Sequence, residues 1–267
     1  MASKQQFALS LRLSIFLSFC LSLVLSACAS TQPVIKIGLV APFEGRFRAI
    51  GYEAIYAARL AIREVNARGG VNGYRLELVA LDDRGEADRA NAAARQLIID
   101  PQVVAVIGHY RPTTTAAALN DYCAENLPVV AIESSSAPVA CQGGAFFIGR
   151  AEAQRWFEDR LTFVSNVPDP QSLPSAADFV TKYTAIPIDG TRAGPIALQT
   201  YDAMRLIFEA LRRVEKIDRG EVAAALAASQ FTGLGNKYAF DQAGNLIEGR
   251  TYVYEYDAAG QPQLMTP

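Results

Sequence analysis

Histidine is nearly absent: His109 is the only one in 267 residues. A single imidazole cannot build a His-rich metal site, nor supply the base of a protease triad with imidazoles to spare. Cysteine is scarce at 4, too few for a disulfide-dense scaffold. Charged residues make up 19%, with Lys+Arg 25 against Asp+Glu 27. No basic block stands out, so no nucleic-acid partner is expected. Phosphate loops of the form GxGxxG or GxxxxGKS/T are missing, and so is the GxSxG nucleophile elbow. No convincing nucleophile–base pair is left, so the chain reads as a non-enzyme with no cofactor and no metal. The 51% hydrophobic content excludes disorder and leaves an ordinary globular protein.

The first residues read as an address. In MASKQQFALSLRLSIFLSFCLSLVLSAC the only charges are Lys4 and Arg12, and Leu13 to Leu25 is apolar. That run is shorter than the ~20 residues of a spanning helix, so it reads as a secretory h-region. Its ending, Leu25-Ser26-Ala27-Cys28, is similar to the lipobox of bacterial lipoproteins, in which the cysteine is lipidated and becomes the first residue. The expectation is a signal over 1–27, lipid on Cys28, a tether over 28–33, and an extracytoplasmic protein anchored to a bacterial membrane without spanning it. An uncleaved membrane anchor is the alternative. Cys20 falls in the signal, which leaves Cys123 and Cys141. In an oxidising compartment these are expected to pair, the alternative being two buried thiols.

From Val34 strand and helix patterns alternate. Val34–Pro42, Arg75–Leu81, Val103–Ile107, Val129–Ile132 and Phe146–Ile148 read as strands. Helices are predicted over Gly51–Arg68, Glu86–Ile99 and Thr113–Glu125. That order predicts βαβ units, hence a doubly wound parallel sheet with ligand chemistry in the loops at its carboxyl ends. Beyond Arg150 the rhythm breaks. Leu161–Val164 could be one more strand and Ser175–Tyr183 a short helix. Pro195–Arg213 is a strong helix with an apolar stripe of Ala197, Tyr201, Met204, Phe208 and Leu211. Glu221–Ala228 is another helix, and Tyr238–Tyr256 reads as antiparallel strands with tight turns.

Two loops carry hydroxyls at helix starts: Thr113-Thr114-Thr115 after the third strand and Ser134-Ser135-Ser136 after the fourth. Such loops suit an anion such as a carboxylate, although Ser and Thr also serve as plain N-caps. Arg46, Arg48 and Arg111 could add charge there. Asp82-Asp83 point to opposite faces of a strand, so they are expected to cap the following helix rather than converge. His109, directly after the third strand, could be a solvent-edge donor or a ligand contact, but hardly a metal site.

Four stretches resemble the first lobe of type I periplasmic binding proteins, in the leucine/isoleucine/valine-binding group that feeds ABC transporters. They are IGLVAPFEG, VNARGGVNGYRLELVALDD with its Asn66-to-Gly73 glycine motif, VVAVIGH, and LPVVAIESSSAP. The resemblance implies an amino acid or related small carboxylate or amide as solute, a transporter permease as partner, and a ligand carboxylate held at Ser134 and Ser136. The family's other ligand serine falls on Pro112, so Thr113 or Thr114 would take its place. Only about 45 residues separate Arg150 from the returning helix, too few for the family's second α/β lobe, given ~30 residues per βαβ unit. The expected layout is a first-lobe core over 34–150, a shortened crossover over 151–194, and returning helices with C-terminal strands over 195–267. The loops after strands three and four should then face an open surface. The implied function is a solute-binding lipoprotein; the alternative is a single-lobe interaction or signalling module that no longer captures solute.

Overall fold

The structure, a computed structural model, describes residues 32–135, 144–151, 162–186, 192–259 and 261–266. Cys28, Ser136 and Cys141 lie outside them, as do parts of the expected crossover. No helix among the described residues is long and apolar enough to cross a membrane.

Five parallel strands form the central sheet: β1 (Val34–Ala41), β2 (Arg75–Asp82), β3 (Val103–Ile107), β4 (Val129–Ala131) and, after the short β5 (Ser134–Ser135), β6 (Ala145–Phe147). Their order is β2-β1-β3-β4-β6, so the winding reverses between β1 and β3. The strand sequences are continuously apolar because both faces are covered. In β3, Val104, Ala105 and Ile107 enter one core while Val103 and Val106 enter the other. The second core holds Ala90, Ala94 and Leu97 of α2 (Ala87–Ile98), with Ala118, Leu119 and Tyr122 of α3 (Pro112–Ala124). The first holds α1 (Arg48–Ala67), α4 (Ala177–Thr184), α5 (Pro195–Arg213) and α6 (Arg219–Ala227). Ile55 of α1 shares this core with Tyr201, Met204, Phe208 and Leu211 of α5, as the stripe predicts.

The Asn66-to-Gly73 motif has a structural explanation. The Asn66 side chain donates to the Leu76 carbonyl at 2.8 Å and accepts the Leu76 N–H at 2.9 Å, which locks α1 to β2. Gly70 turns the chain at φ +80°, where a Cβ would sit 1.9 Å from the Tyr74 carbonyl oxygen. Asn72 reaches the far end of α5 and donates to the carbonyls of Leu211 and Val214. These carbonyls are among the last of that helix, which its own backbone leaves unpaired.

The tail forms antiparallel strands, as read, but away from the parallel sheet: β11 (Tyr252–Tyr256) lies between β12 (Pro262–Thr266) and β8 (Thr162–Ser165) in a separate antiparallel sheet. The short β9 (Phe231–Thr232) and β10 (Lys237–Tyr238) form a hairpin, and β5 pairs with β7 (Arg150–Ala151). β8 offers β11 a partner, so its backbone groups are satisfied away from the main sheet. A bridge between Phe147 and Asn245 joins the tail to β6. Among the described residues there is one parallel sheet of more than two strands.

Candidate solute site at the strand ends

The loops after β1, β2, β3 and β4 meet at the carboxyl end of the sheet. Asp82 and Asp83 hold them together, and neither caps α2. The residue before that helix, Glu86, makes no side-chain cap bond either. Being adjacent on a strand, the two aspartates diverge. Asp82 Oδ1 accepts the N–H groups of Phe43 at 2.8 Å and Glu44 at 3.3 Å, tying down the loop after β1. Asp83 points the other way, accepts the Gly85 N–H at 2.9 Å, and lies 2.7 Å from His109 Nδ1.

His109 is therefore not at the solvent edge. It is 1% exposed, with Nε2 3.3 Å from the Tyr122 hydroxyl. The preceding strand is buried throughout, and the side chain follows it inward because Asp83 and Tyr122 supply polar partners there.

The threonines divide. Thr113 is exposed, whereas Thr114 is fully buried and donates to the Arg111 carbonyl at 3.0 Å. Thr115 donates to the Glu133 carbonyl at 2.5 Å, joining the loops of β3 and β4. Ser134 enters the short β5, and Ser136 is outside the described residues. Arg46 and Arg48 are exposed, while Arg111 is buried.

Arg111 and Glu133 are the residues whose roles the sequence did not show. The Arg111 guanidinium lies 4.2 Å from the centre of the Phe47 ring and donates to the Thr162 carbonyl of β8 at 2.9 Å. Burial pulls its pKa down. Glu133, fully buried, accepts the Val164 N–H at 2.8 Å through Oε1, while Oε2 has no hydrogen-bond partner. Burial pushes its pKa up to about 7, against the opposing pull of Arg111 and of the Val164 bond. Both residues grip the backbone of β8, whose residues are buried along its length. The expected open surface over these loops is thus covered by the chain's own strand. The hint in the sequence is that each charged residue directly borders its site loop, Arg111 before Pro112 and Glu133 before Ser134.

A second buried carboxylate sits at the start of α5. Glu53 accepts the Ala197 N–H at 3.1 Å and the Tyr256 hydroxyl at 2.9 Å, and burial raises its pKa to about 7. The positive end of that helix is therefore occupied by a side chain of α1. In the last turn of α3, Cys123 is disulfide-bonded, and its expected partner Cys141 lies outside the described residues.

Comparison with known proteins agrees with this architecture. Residues 34–159 match the periplasmic binding protein family. An amino acid binding protein of Pseudomonas aeruginosa is 29% identical over 120 residues, 45% of this chain and 32% of the relative. The Leu/Ile/Val-binding protein of Escherichia coli K12 is 26% identical over 127 residues, 48% of this chain and 34% of the relative. The matched stretch thus spans about a third of the length of these relatives. Among solved structures, the substrate-binding protein LivJ of Streptococcus pneumoniae, in complex with isoleucine, aligns with TM-score 0.70 at 17% identity over 88% of this chain and 100% of that one. A solute binding protein of R. palustris, in complex with benzoate, aligns with TM-score 0.67 at 13% identity over 87% of this chain and 95% of that one. At such identity these likenesses speak for the fold alone. Residues 34–159, a little under half of the chain, thus match the periplasmic binding protein family in sequence, and the sheet order agrees with that likeness.

Proposed function

We propose that the chain is an extracytoplasmic solute-binding lipoprotein of an amino acid ABC transporter, anchored through Cys28 and working with a permease. The solute class is a branched-chain amino acid or a related small carboxylate or amide. The observation that carries this reading is the lobe itself. Its β3 and β4 loops converge beside the reversal of strand order, where open α/β sheets bind ligands. The family relatives named as Leu/Ile/Val-binding support the solute class. Calorimetric titration of the processed protein with an amino-acid panel tests it. A bound solute should lose about 1–3 kcal/mol of affinity on Ser136→Ala, the cost of leaving a charged acceptor short of one donor. Unchanged affinity in that variant would place the ligand elsewhere.

One observation favours a second reading, a module that docks a partner without capturing solute. Arg111 and Glu133, both at the expected site loops, are committed to the backbone of β8. A folded protein that binds no member of the panel would support that reading.

A further inference from the structure

The charges of α1 are segregated. Its two glutamates turn inward: Glu53 is buried against Ala197 and Tyr256, and Glu64 accepts the Tyr201 hydroxyl and pairs with the Lys182 ammonium at 2.9 Å. Its three arginines, Arg48, Arg59 and Arg63, are exposed and make no ion pair among the described residues. With Tyr52 and Tyr56 they fall inside an arc of about 80° along one side of the helix, at 3.6 residues per turn. Tyr52 is 41% exposed, and its ring stacks on that of the partly buried Tyr56 with 6.4 Å between centres.

Other exposed helix arginines keep a carboxylate beside them. Arg89 has Glu86, Arg95 has Asp121, and Arg212 and Arg213 share Glu209. At the Arg48 end of the stripe, Asp257 lines the same cleft, but its carboxylate accepts the N–H groups of Ala259 and Gln261 at 2.9 Å each. Arg59 and Arg63, one turn apart, repel each other, so the stripe weakens the helix until an anionic partner relieves it. From Arg48 to Arg63 it runs about 23 Å, which suits an extended anionic surface better than one small anion. Guanidinium groups pair with phosphates through parallel hydrogen bonds, and tyrosine, apolar in its ring and polar at its tip, is favoured at lipid headgroup level.

The direction of the chain agrees. Asn66, in the last turn of α1, bonds both backbone groups of Leu76, and Leu76 pairs with Ile35 at the start of β1. The Arg63 end of the stripe therefore lies where the chain enters the sheet. Cys28 precedes Val34 by six residues, a reach of about 20 Å at full stretch.

We propose that this face of α1 lies on an anionic phospholipid surface, its arginines on lipid phosphates and the Tyr52–Tyr56 pair among the headgroups. The choice of a membrane over an acidic protein rests on the lipid proposed at Cys28; the charged face itself does not.

The test is co-sedimentation of the processed protein with vesicles of phosphatidylcholine alone and of an equal mixture with phosphatidylglycerol. Binding should be at least about tenfold stronger to the mixed vesicles, since each arginine near an anionic surface adds roughly fivefold. High salt should erase that preference. Paramagnetic lipid in the mixed vesicles should broaden the Tyr52 and Tyr56 ring signals of the parent protein. Combining Arg48→Gln, Arg59→Gln and Arg63→Gln should abolish the preference. Combining Arg89→Gln, Arg212→Gln and Arg213→Gln, which removes the same charge from other exposed helix positions, should keep it. Equal binding to both vesicles, an equal loss in the two triple variants, or broadening that spares Tyr52 and Tyr56 overturns the inference. Protein that mass spectrometry finds without lipid should still favour the mixed vesicles, an outcome that ends the anchor and keeps this face. Lipidated protein that binds both vesicles alike does the reverse.

Discussion

Glu133 Oε1 accepts the backbone N–H of Val164 at 2.8 Å, so the loop after β4 holds a strand that follows it by thirty-one residues. Val164 in turn pairs with Val253 of β11, so this carboxylate connects the parallel sheet to the C-terminal antiparallel one. Replacing Glu133 with Ala should unpair the Val164 N–H and strip Arg111 of a nearby negative charge. The expected cost is about 2–3 kcal/mol in urea unfolding, with faster hydrogen exchange at Val164. Glu133→Gln keeps an acceptor and should cost less. Equal stability of the Ala variant and the parent would show that this bond does not hold β8.

Stability should fall as pH rises from about 5 to about 7. Glu53 and Glu133 are raised to about 7 from 4.5, and Asp202 to about 6 from 3.8, each by burial. The folded state therefore holds these protons more tightly than the unfolded state. Their contribution is full below the unfolded values and lost as pH climbs through the folded ones. Glu64, Asp100, Asp218 and Asp257 are shifted down and act below that window. Urea midpoints measured across this range should decline, and Glu53→Gln should flatten the slope. A rising midpoint would contradict the assignment.

The pair of Asp83 and His109 offers a third test. Asp83→Ala leaves a buried imidazole nitrogen without its 2.7 Å partner and should cost about 1–3 kcal/mol by thermal unfolding. Asp83→Asn, which can still accept from a ring N–H, should recover part of the loss.

For the cysteines, the proposed bond between Cys123 and Cys141 should appear in a non-reducing peptide map. Reduction should lower stability by about 3 kcal/mol, the value for a loop of ~15 residues. A map showing Cys141 as a free thiol would exclude the pairing.

Mass spectrometry of the processed protein from a bacterial host should find an acylated N-terminal Cys28. A mature chain that begins elsewhere, or retains Met1, would end the lipoprotein reading.

Much of the fold was legible in the sequence because it depends on spacing over a few residues. Val103–Ile107 and Pro195–Arg213 appear with the predicted bounds, since an unbroken apolar run and a 3.6-residue stripe each point to one kind of element. The polarity of α5 was harder to read. Gln199, Thr200 and Asp202 are buried beside its stripe because the tail covers a second side: Asp202 accepts the N–H groups of Leu234 at 2.8 Å and Gly235 at 2.9 Å. A stripe reveals the face turned towards the sheet, but it carries no mark of what later folds over the rest.

By itself the sequence determined the alternation of strands and helices, and through it the parallel sheet. It also determined the Asn66-to-Gly73 turn, where only residues tolerant of positive φ fit. Local sterics and hydrophobic period act within each segment, so they can be read without the rest of the chain. Tertiary structure decided the fate of the site loops. It drew His109 inward to Asp83, set Arg111 and Glu133 on the backbone of β8, and gave β11 a partner outside the main sheet. These contacts join residues that lie from twenty-six to ninety-three positions apart, and a buried charge takes whichever distant backbone group packing brings within reach, because leaving it unpaired costs more than any local preference supplies.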